Sequence, residues 1–350
     1  MIPGLELSRR FYLEAVAPLV HVPHSAARLD TGSEVLGYDT EISADHEWGP
    51  RCQVFIADLS QADRIHRELA ERLPKEFLGY PTHFEGVGVG HMTPTDGPVA
   101  HRVEVTDIAG WAERRLGFDP RLEVTTLDWL ATPTQELAQI TGGTVFHDGL
   151  DQLDLLRRGL AWYPDHVFRY VLACQWRRIA QEEAFVGRAG EVGDEIGSAV
   201  VAARLVRELI RLVLLYHRVY PPYSKWLGSA FARLGAQPIT DILRDVLTAV
   251  DYRERGDRLA DAYEFAATTH NLTPGFQPVD GTRRTYYGRP YPVLLADRFV
   301  EALLAGAALE GTTLSGLPLT GAVDQWTDST DLAMNVHLRR AAVAGVTRLD

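Results

Sequence analysis

The chain has 350 residues, a formal net charge of −12, and 46% hydrophobic against 23% charged residues. That length exceeds the usual single domain and predicts about two, each large enough for its own core. The acid excess argues against a nucleic-acid partner, which needs a basic face for its phosphates, and no stretch of about 18 apolar residues is present to span a bilayer, so no membrane partner is expected.

The N-terminal "MIPGLELSRRFYLEAVAPLV" lacks the apolar run of a secretion signal, and a cytoplasmic location is expected. Short β-like runs then alternate with helical ones. "RCQVFIADL" (Arg51–Leu59) reads as a strand, "SQADRIHRELAERL" as a helix capped near Ser60 or Asp63, and "HRVEVTDI" as a strand with period-two alternation. "EGVGVGH" (Glu85–His91) reads as a strand or bulge with close backbone approach, since its glycines lack dinucleotide-binding spacing. Beyond residue 150 come helical periodicities over Leu153–Leu160, Val167–Ala184, Ile196–Val219, Tyr223–Leu234 and Ile239–Val250. A Pro/Gly-rich passage interrupts near 272–293 before a last helix from about Leu294 to Leu309. The pattern predicts an α+β class, with a mixed-sheet domain over 1–150 followed by an α-helical bundle domain over 151–350. Cys52 and Cys174, the only cysteines, lie in apolar runs and are assigned no chemistry.

The stretch "TGSEVLGYDTEISADHEW" (Thr31–Trp48) concentrates the polar signal of the first half. Gly32-Ser33 suits a tight turn at a helix N-terminus that could hold phosphate oxygens. Asp45 and Glu47 flank one residue, so on entering a strand their side chains would share a face. Paired carboxylates repel unless a cation lies between them, and Mg²⁺ takes carboxylates together with substrate phosphates. Glu104, flanked by valines in "HRVEVTD", offers a third acid on an adjacent strand; its structural alternative is an ion pair with Arg102 or Arg51.

The Gly-Ser pair, the dozen residues that follow, the acid-x-acid and the later strand-borne acid resemble the polymerase-β-type nucleotidyltransferase fold. The likeness is to small-molecule adenylyltransferases of the aminoglycoside-resistance kind, which carry a helical domain behind the transferase domain, and to an uncharacterised bacterial family related to them. The resemblance implies that Gly32 and Ser33 hold the phosphates of ATP or another nucleoside triphosphate. It further implies that Asp45, Glu47 and Glu104 hold Mg²⁺, and that AMP passes to a hydroxyl of a small acceptor. His46 between the acids, and Glu47 in place of the commoner aspartate, depart from the family pattern and leave room for a nucleotide-sensing module without turnover. A toxin-antitoxin-type partner acting on another protein is the remaining alternative.

In the second half "QEEAFVGRAGEVGDEIGS" (Gln181–Ser198) sets acids around glycines spaced three or four apart. It is expected to form an acceptor pocket favouring a cationic ligand, with Glu182 or Glu183 as general base and Arg188 paired with one of the acids or set against the nucleotide. Lys75 and Lys225 are the only lysines among 35 basic residues, and Lys225, just after Pro-Pro, is expected to point its charge at a triphosphate. "RRTYYGRPY" (Arg283–Tyr291) reads either as a base-stacking element or as a surface loop.

Overall fold

The computed structural model describes residues 2–86, 90–305 and 309–349. Its fold is α+β, with a four-stranded mixed sheet followed by a helical region. The chain divides into two compact units, one of residues 1–128 and 136–162, the other of 129–135 and 163–350. The change of unit therefore falls near residue 162, and residues 129–135, the end of one helix and the start of the next, also belong to the second unit.

The first unit opens with α1 (Gly4–Phe11) and carries strands β1 (His24–Arg28) and β2 (Arg51–Ile56), then helix α2 (Ala62–Arg72). Two small ladders follow, β3 (Glu76–Phe77) with β4 (Tyr80–Pro81) and β5 (His83–Glu85) with β6 (His91–Thr93). The glycine-alternating stretch is thus strand at both ends, and its central residues 87–89 lie outside the described residues. Strand β7 (Arg102–Thr106) and helices α3 (Ile108–Leu116), α4 (Thr126–Ala131) and α5 (Thr134–Thr141) lead to β8 (Thr144–Asp148) and α6 (Leu153–Gly159). Caps set the helix starts. Asp107 accepts from the Gly110 amide to begin α3, which ends on Gly117 at φ 82°.

The sheet runs β7-β2-β1-β8; β2 and β7 are parallel and the other pairs antiparallel. Alternation gives it one apolar and one polar face. Ala26, Cys52, Val54, Ile56 and Val103 join Leu7, Phe11, Ile65 and Leu69 in one core. Arg51, Gln53, Arg102, Glu104 and Thr106 fall on the opposite face. Trp111 of α3 covers part of that second face through an edge contact with Phe55.

The second unit contains α7 (Asp165–Glu182), α8 (Phe185–Glu191), α9 (Glu195–Tyr216), α10 (Ser224–Arg233), α11 (Gln237–Thr248) and α12 (Tyr252–Leu272). A hairpin of β9 (Arg284–Tyr286) and β10 (Arg289–Val293) follows, then α13 (Asp297–Leu304), α14 (Val323–Trp326), α15 (Thr330–Met334) and α16 (Val336–Thr347). Trp176 of α7 stacks on Phe299 of α13 and donates to Tyr216 of α9, whose hydroxyl also meets His270 of α12. Four helices so share one core. The last expected helix is shorter than its periodicity suggests, ending at Leu304, and 306–308 lie outside the described residues.

Helix α12 was not anticipated from hydrophobic periodicity because its buried face is built of Gly256, Ala260, Ala262, Ala266 and Ala267 around Leu259 and Tyr263. Small residues bury well but give a weak apolar signal. Within the Pro/Gly-rich passage, Tyr287 and Gly288 both have positive φ, as a two-residue type I′ hairpin requires.

Candidate functional site

The site is built on the polar face of the first unit's sheet. Beyond the end of β1, the Gln53 side chain takes over from strand pairing. Its amide accepts from the Leu29 N–H at 3.0 Å and donates to the Leu29 carbonyl at 3.2 Å. The chain then leaves the sheet at Asp30, which has φ 76° and pairs with Arg115.

Gly32 and Ser33 lead into a single 3-10 turn, Glu34–Leu36, closed by Gly37 at φ 67°. This corrects the expected helix N-terminus: a three-residue turn presents no set of aligned amides for a phosphate. Gly32 is needed for another reason. At φ 146° its Cα lies against Glu34, Arg28 and Arg51, where a Cβ would come within 2.5–2.7 Å of the carboxylate and both guanidinium groups. Glu34 is buried, and its Oε1 lies 2.8 Å from Arg28 Nη2 and 2.8 Å from Arg51 Nη2. Burial pushes its pKa up, but the two guanidinium charges outweigh this and hold it below the ordinary carboxylate range. Burial and the neighbouring Arg28 charge lower Arg51's affinity for its proton, yet a guanidinium stays charged at any physiological pH. Two buried cations therefore face one buried anion.

Asp45 and Glu47 do not enter a strand together. Residues Glu41–Asp45 form a 3-10 turn and β2 begins only at Arg51, so the premise of a shared strand face fails. Asp45 is largely exposed, with His46 Nδ1 2.7 Å from its carboxylate, while its carbonyl meets His91 Nδ1. Glu47 is held differently. At φ 46° it exchanges hydrogen bonds with Gly90, whose amide donates to Glu47 Oε1 and whose carbonyl accepts from Glu47 N–H at 2.9 Å. Arg51 Nη1 lies 3.4 Å from one carboxylate oxygen and Arg102 Nη2 3.3 Å from the other.

Glu104 lies on β7, two residues after Arg102 and opposite Gln53 of β2. Its ion-pair partner is Arg114 of α3, at 3.2 Å, rather than Arg102 or Arg51, which are committed to Glu47. Partial burial of the carboxyl group, which stays about two-fifths exposed, then the charge of Asp30, push its pKa up against the pull of Arg114. Among the described residues no three of His, Cys, Asp and Glu come together as a ready metal site.

Sequence reading singled out the acids and missed Arg28, Glu34, Arg51 and Arg102 as a connected set. The available signal was alternation, because Arg51-x-Gln53 and Arg102-x-Glu104 put polar side chains on one face of two otherwise apolar strands.

Glu182, Glu183, Arg188 and Lys225 belong to the second unit. Glu182 pairs with Arg204 at 3.3 Å. Glu183 is not a free base: buried, it accepts from the amides of Leu294, Leu295 and Ala296 at 2.7, 3.1 and 3.0 Å. Burial raises its pKa while those amides lower it. Arg188 makes no ion pair among the described residues and lies over the Phe185 ring. Glu191 meets Arg289, Glu195 meets Arg255, and Asp194 caps α9. Two of the glycines serve packing, Gly187 against the Tyr291 ring of β10 and Gly190 against Tyr252, while Gly193 turns the chain at φ 80°. Lys225 Nζ lies over the Trp226 ring at 5.5 Å. The Arg283–Tyr291 run has its cations neutralised, Arg283 by Asp261 and Glu264, Arg284 by Asp280 and Arg289 by Glu191, which leaves little for a base or phosphate.

A groove of about 440 Å³ runs along β8, lined in part by Phe146, His147, Asp148, Asp154 and Arg157. It lies at the sheet edge away from β7, and Asp148 there is occupied by Ser25 and the amides of residues 152–154.

Residues 129–227 match a family model described as "Domain of unknown function (DUF4037)". The match includes Glu182, Glu183, Arg188 and Lys225 but not Gly32, Ser33, Asp45, Glu47 or Glu104. No curated protein and no solved structure matches the chain.

Proposed function

We propose that the first unit carries a nucleotidyl-transfer site, resembling the polymerase-β type, that moves AMP from ATP to a hydroxyl of a small acceptor. The observation that carries this reading is the grouping of Glu47 with Arg51 and Arg102 at one end of a parallel strand pair, with Glu104 two residues further along β7. It supports a site for an anionic donor beside carboxylates. Mg²⁺ is commonly held by one or two carboxylates completed by water and substrate phosphates, so Glu47, with Asp45 two residues before it, offers oxygen donors of the right chemistry, while Glu104 is held by Arg114 and no third acid joins them among the described residues. Bound there, the ion would supply charge neutralisation for the phosphates. Glu104, with its raised pKa, is the group to accept the acceptor's proton at its carboxylate.

The test is magnesium-dependent pyrophosphate release from ATP over a panel of amino-sugar and other small hydroxyl acceptors. Asp45→Asn and Glu104→Gln should abolish release while leaving the circular dichroism unchanged. Release that persists in both variants sinks the assignment. A second reading, a module that binds nucleotide without turnover, is supported by the partners already held by Asp45 and Glu47. Magnesium-dependent ATP binding with no release on any acceptor would favour it.

A further inference from the structure

We infer that Arg51 and Arg102 form a clamp for a polyphosphate chain and that Glu47 competes with the phosphates for the same guanidinium groups. This couples polyphosphate binding to cation binding, and it rests on the nucleotidyl-transfer reading above.

The two arginines are cross-strand partners in the parallel β2–β7 register, so their side chains leave one sheet face side by side. A guanidinium carries five N–H donors in a planar fork, and a phosphate oxygen accepts from it at least as well as a carboxylate does. Arg51 is anchored by Glu34 at 2.8 Å, a normal charge-assisted length. The contacts of both arginines with Glu47, at 3.4 and 3.3 Å, are half an ångström longer than such bonds usually are. Glu47 is thus the arginines' weaker partner, while its own carboxylate is also held by the Gly90 amide. Arg102 also has a buried Nε without a hydrogen bond, so its donors are not exhausted.

Charge points the same way. Arg28 and Arg51 share the single buried carboxylate of Glu34, and Arg102 adds a third cation, so removing Glu47 from the balance leaves a surplus of two positive charges. Gly32 stands against Arg51 Nη2 and Gly90 against Arg102 Nη2, each where a Cβ would overlap the guanidinium. A cation that takes Glu47 releases Arg51 Nη1 and Arg102 Nη2 to anionic oxygens, while Arg51 stays anchored by Glu34, and a polyphosphate that takes those two donors releases Glu47 to a cation. The coupling is reciprocal, as binding linkage requires.

The experiment titrates inorganic pyrophosphate calorimetrically into the full chain in the presence of EDTA, and Mn²⁺ separately with detection by electron paramagnetic resonance. Wild type, Glu47→Gln, Arg102→Gln and Arg102→Lys are compared. Without metal, E47Q should bind pyrophosphate at least tenfold more tightly than wild type and R102Q at least tenfold more weakly, while R102K, which keeps the charge, should fall between R102Q and wild type. R102Q should also bind Mn²⁺ more tightly, because Glu47 has lost a competing partner. Equal pyrophosphate affinity across all four proteins, with magnesium-dependent ATP binding intact, overturns the clamp and leaves the nucleotidyl-transfer reading standing. Folded wild type that binds neither pyrophosphate nor ATP with magnesium overturns both.

Discussion

Arg51 and Arg102 stand opposite each other at the heads of two parallel strands, and both reach the carboxylate of Glu47 from residues 4 and 55 positions away in sequence. The arrangement depends on Arg51 being fixed from behind by Glu34. The stability of the first unit should therefore be sensitive to residues that never touch a substrate.

Glu34→Ala tests that dependence. It leaves Arg28 and Arg51 buried without their shared counter-ion, and breaking a buried ion pair by removing one partner costs about 3–5 kcal/mol. Urea denaturation followed by tryptophan fluorescence should show a loss of that order. A change below about 1 kcal/mol, the range of exposed ion pairs, would mean that the cluster is solvated.

Gly32→Ala should also destabilise the fold, for a steric reason. The residue has φ 146°, a region L side chains rarely adopt, and its Cβ would meet two guanidinium groups and a carboxylate. A loss of roughly 1–3 kcal/mol is expected, the usual scale of a strained backbone position, and an unchanged melting temperature would show that the turn can rearrange freely.

His101 predicts acid sensitivity. Burial, reinforced by the neighbouring His66, depresses its pKa from 6.5 to about 4, against the raising effect of its backbone hydrogen bonds. Between those values the unfolded chain binds a proton that the folded one refuses, so stability falls as pH drops from about 6.5 towards 4 and levels off below. At 1.36 kcal/mol per unit the loss is at most roughly 3 kcal/mol. His101→Gln should flatten that part of the stability–pH curve; a slope identical to wild type between pH 6.5 and 4 would assign the sensitivity to other groups.

Glu183 separates structure from chemistry in the second unit. Glu183→Ala orphans the amides of residues 294–296, each costing about 1–3 kcal/mol if it stays buried without a partner. Calorimetry should show a clear fall in melting temperature. Unchanged stability accompanied by loss of pyrophosphate release would instead restore this residue as a general base.

Local signals carried much of the architecture. Alternation marked Arg51–Ile56 and Arg102–Thr106 as strands, and 3.6-residue periodicity marked the helices from Asp165 to Thr248. Both are short-range consequences of which face must be buried. The change of class along the chain, from mixed sheet to helices, follows from the same patterning. Helix α12 escaped because alanine and glycine bury a face without announcing it.

The site was legible in its residue types and not in its geometry. Asp45, Glu47 and Glu104 stood out as acids in improbable places. Their partners were decided by segments far apart in the chain: Gly90 and Arg102 reach Glu47 across 43 and 55 residues, and Arg114 takes Glu104 from the helix that follows its strand. Spacing of one residue fixes a shared face only if the backbone is extended, and the 3-10 turn at Glu41–Asp45 together with the positive φ of Glu47 removed that condition. The sequence determined which charges this protein must neutralise, because charges cannot be buried unpaired. Only the tertiary structure decided which cation answers each anion, because that choice depends on the register of β2 against β7 and on the approach of Gly32 and Gly90, which no local pattern specifies.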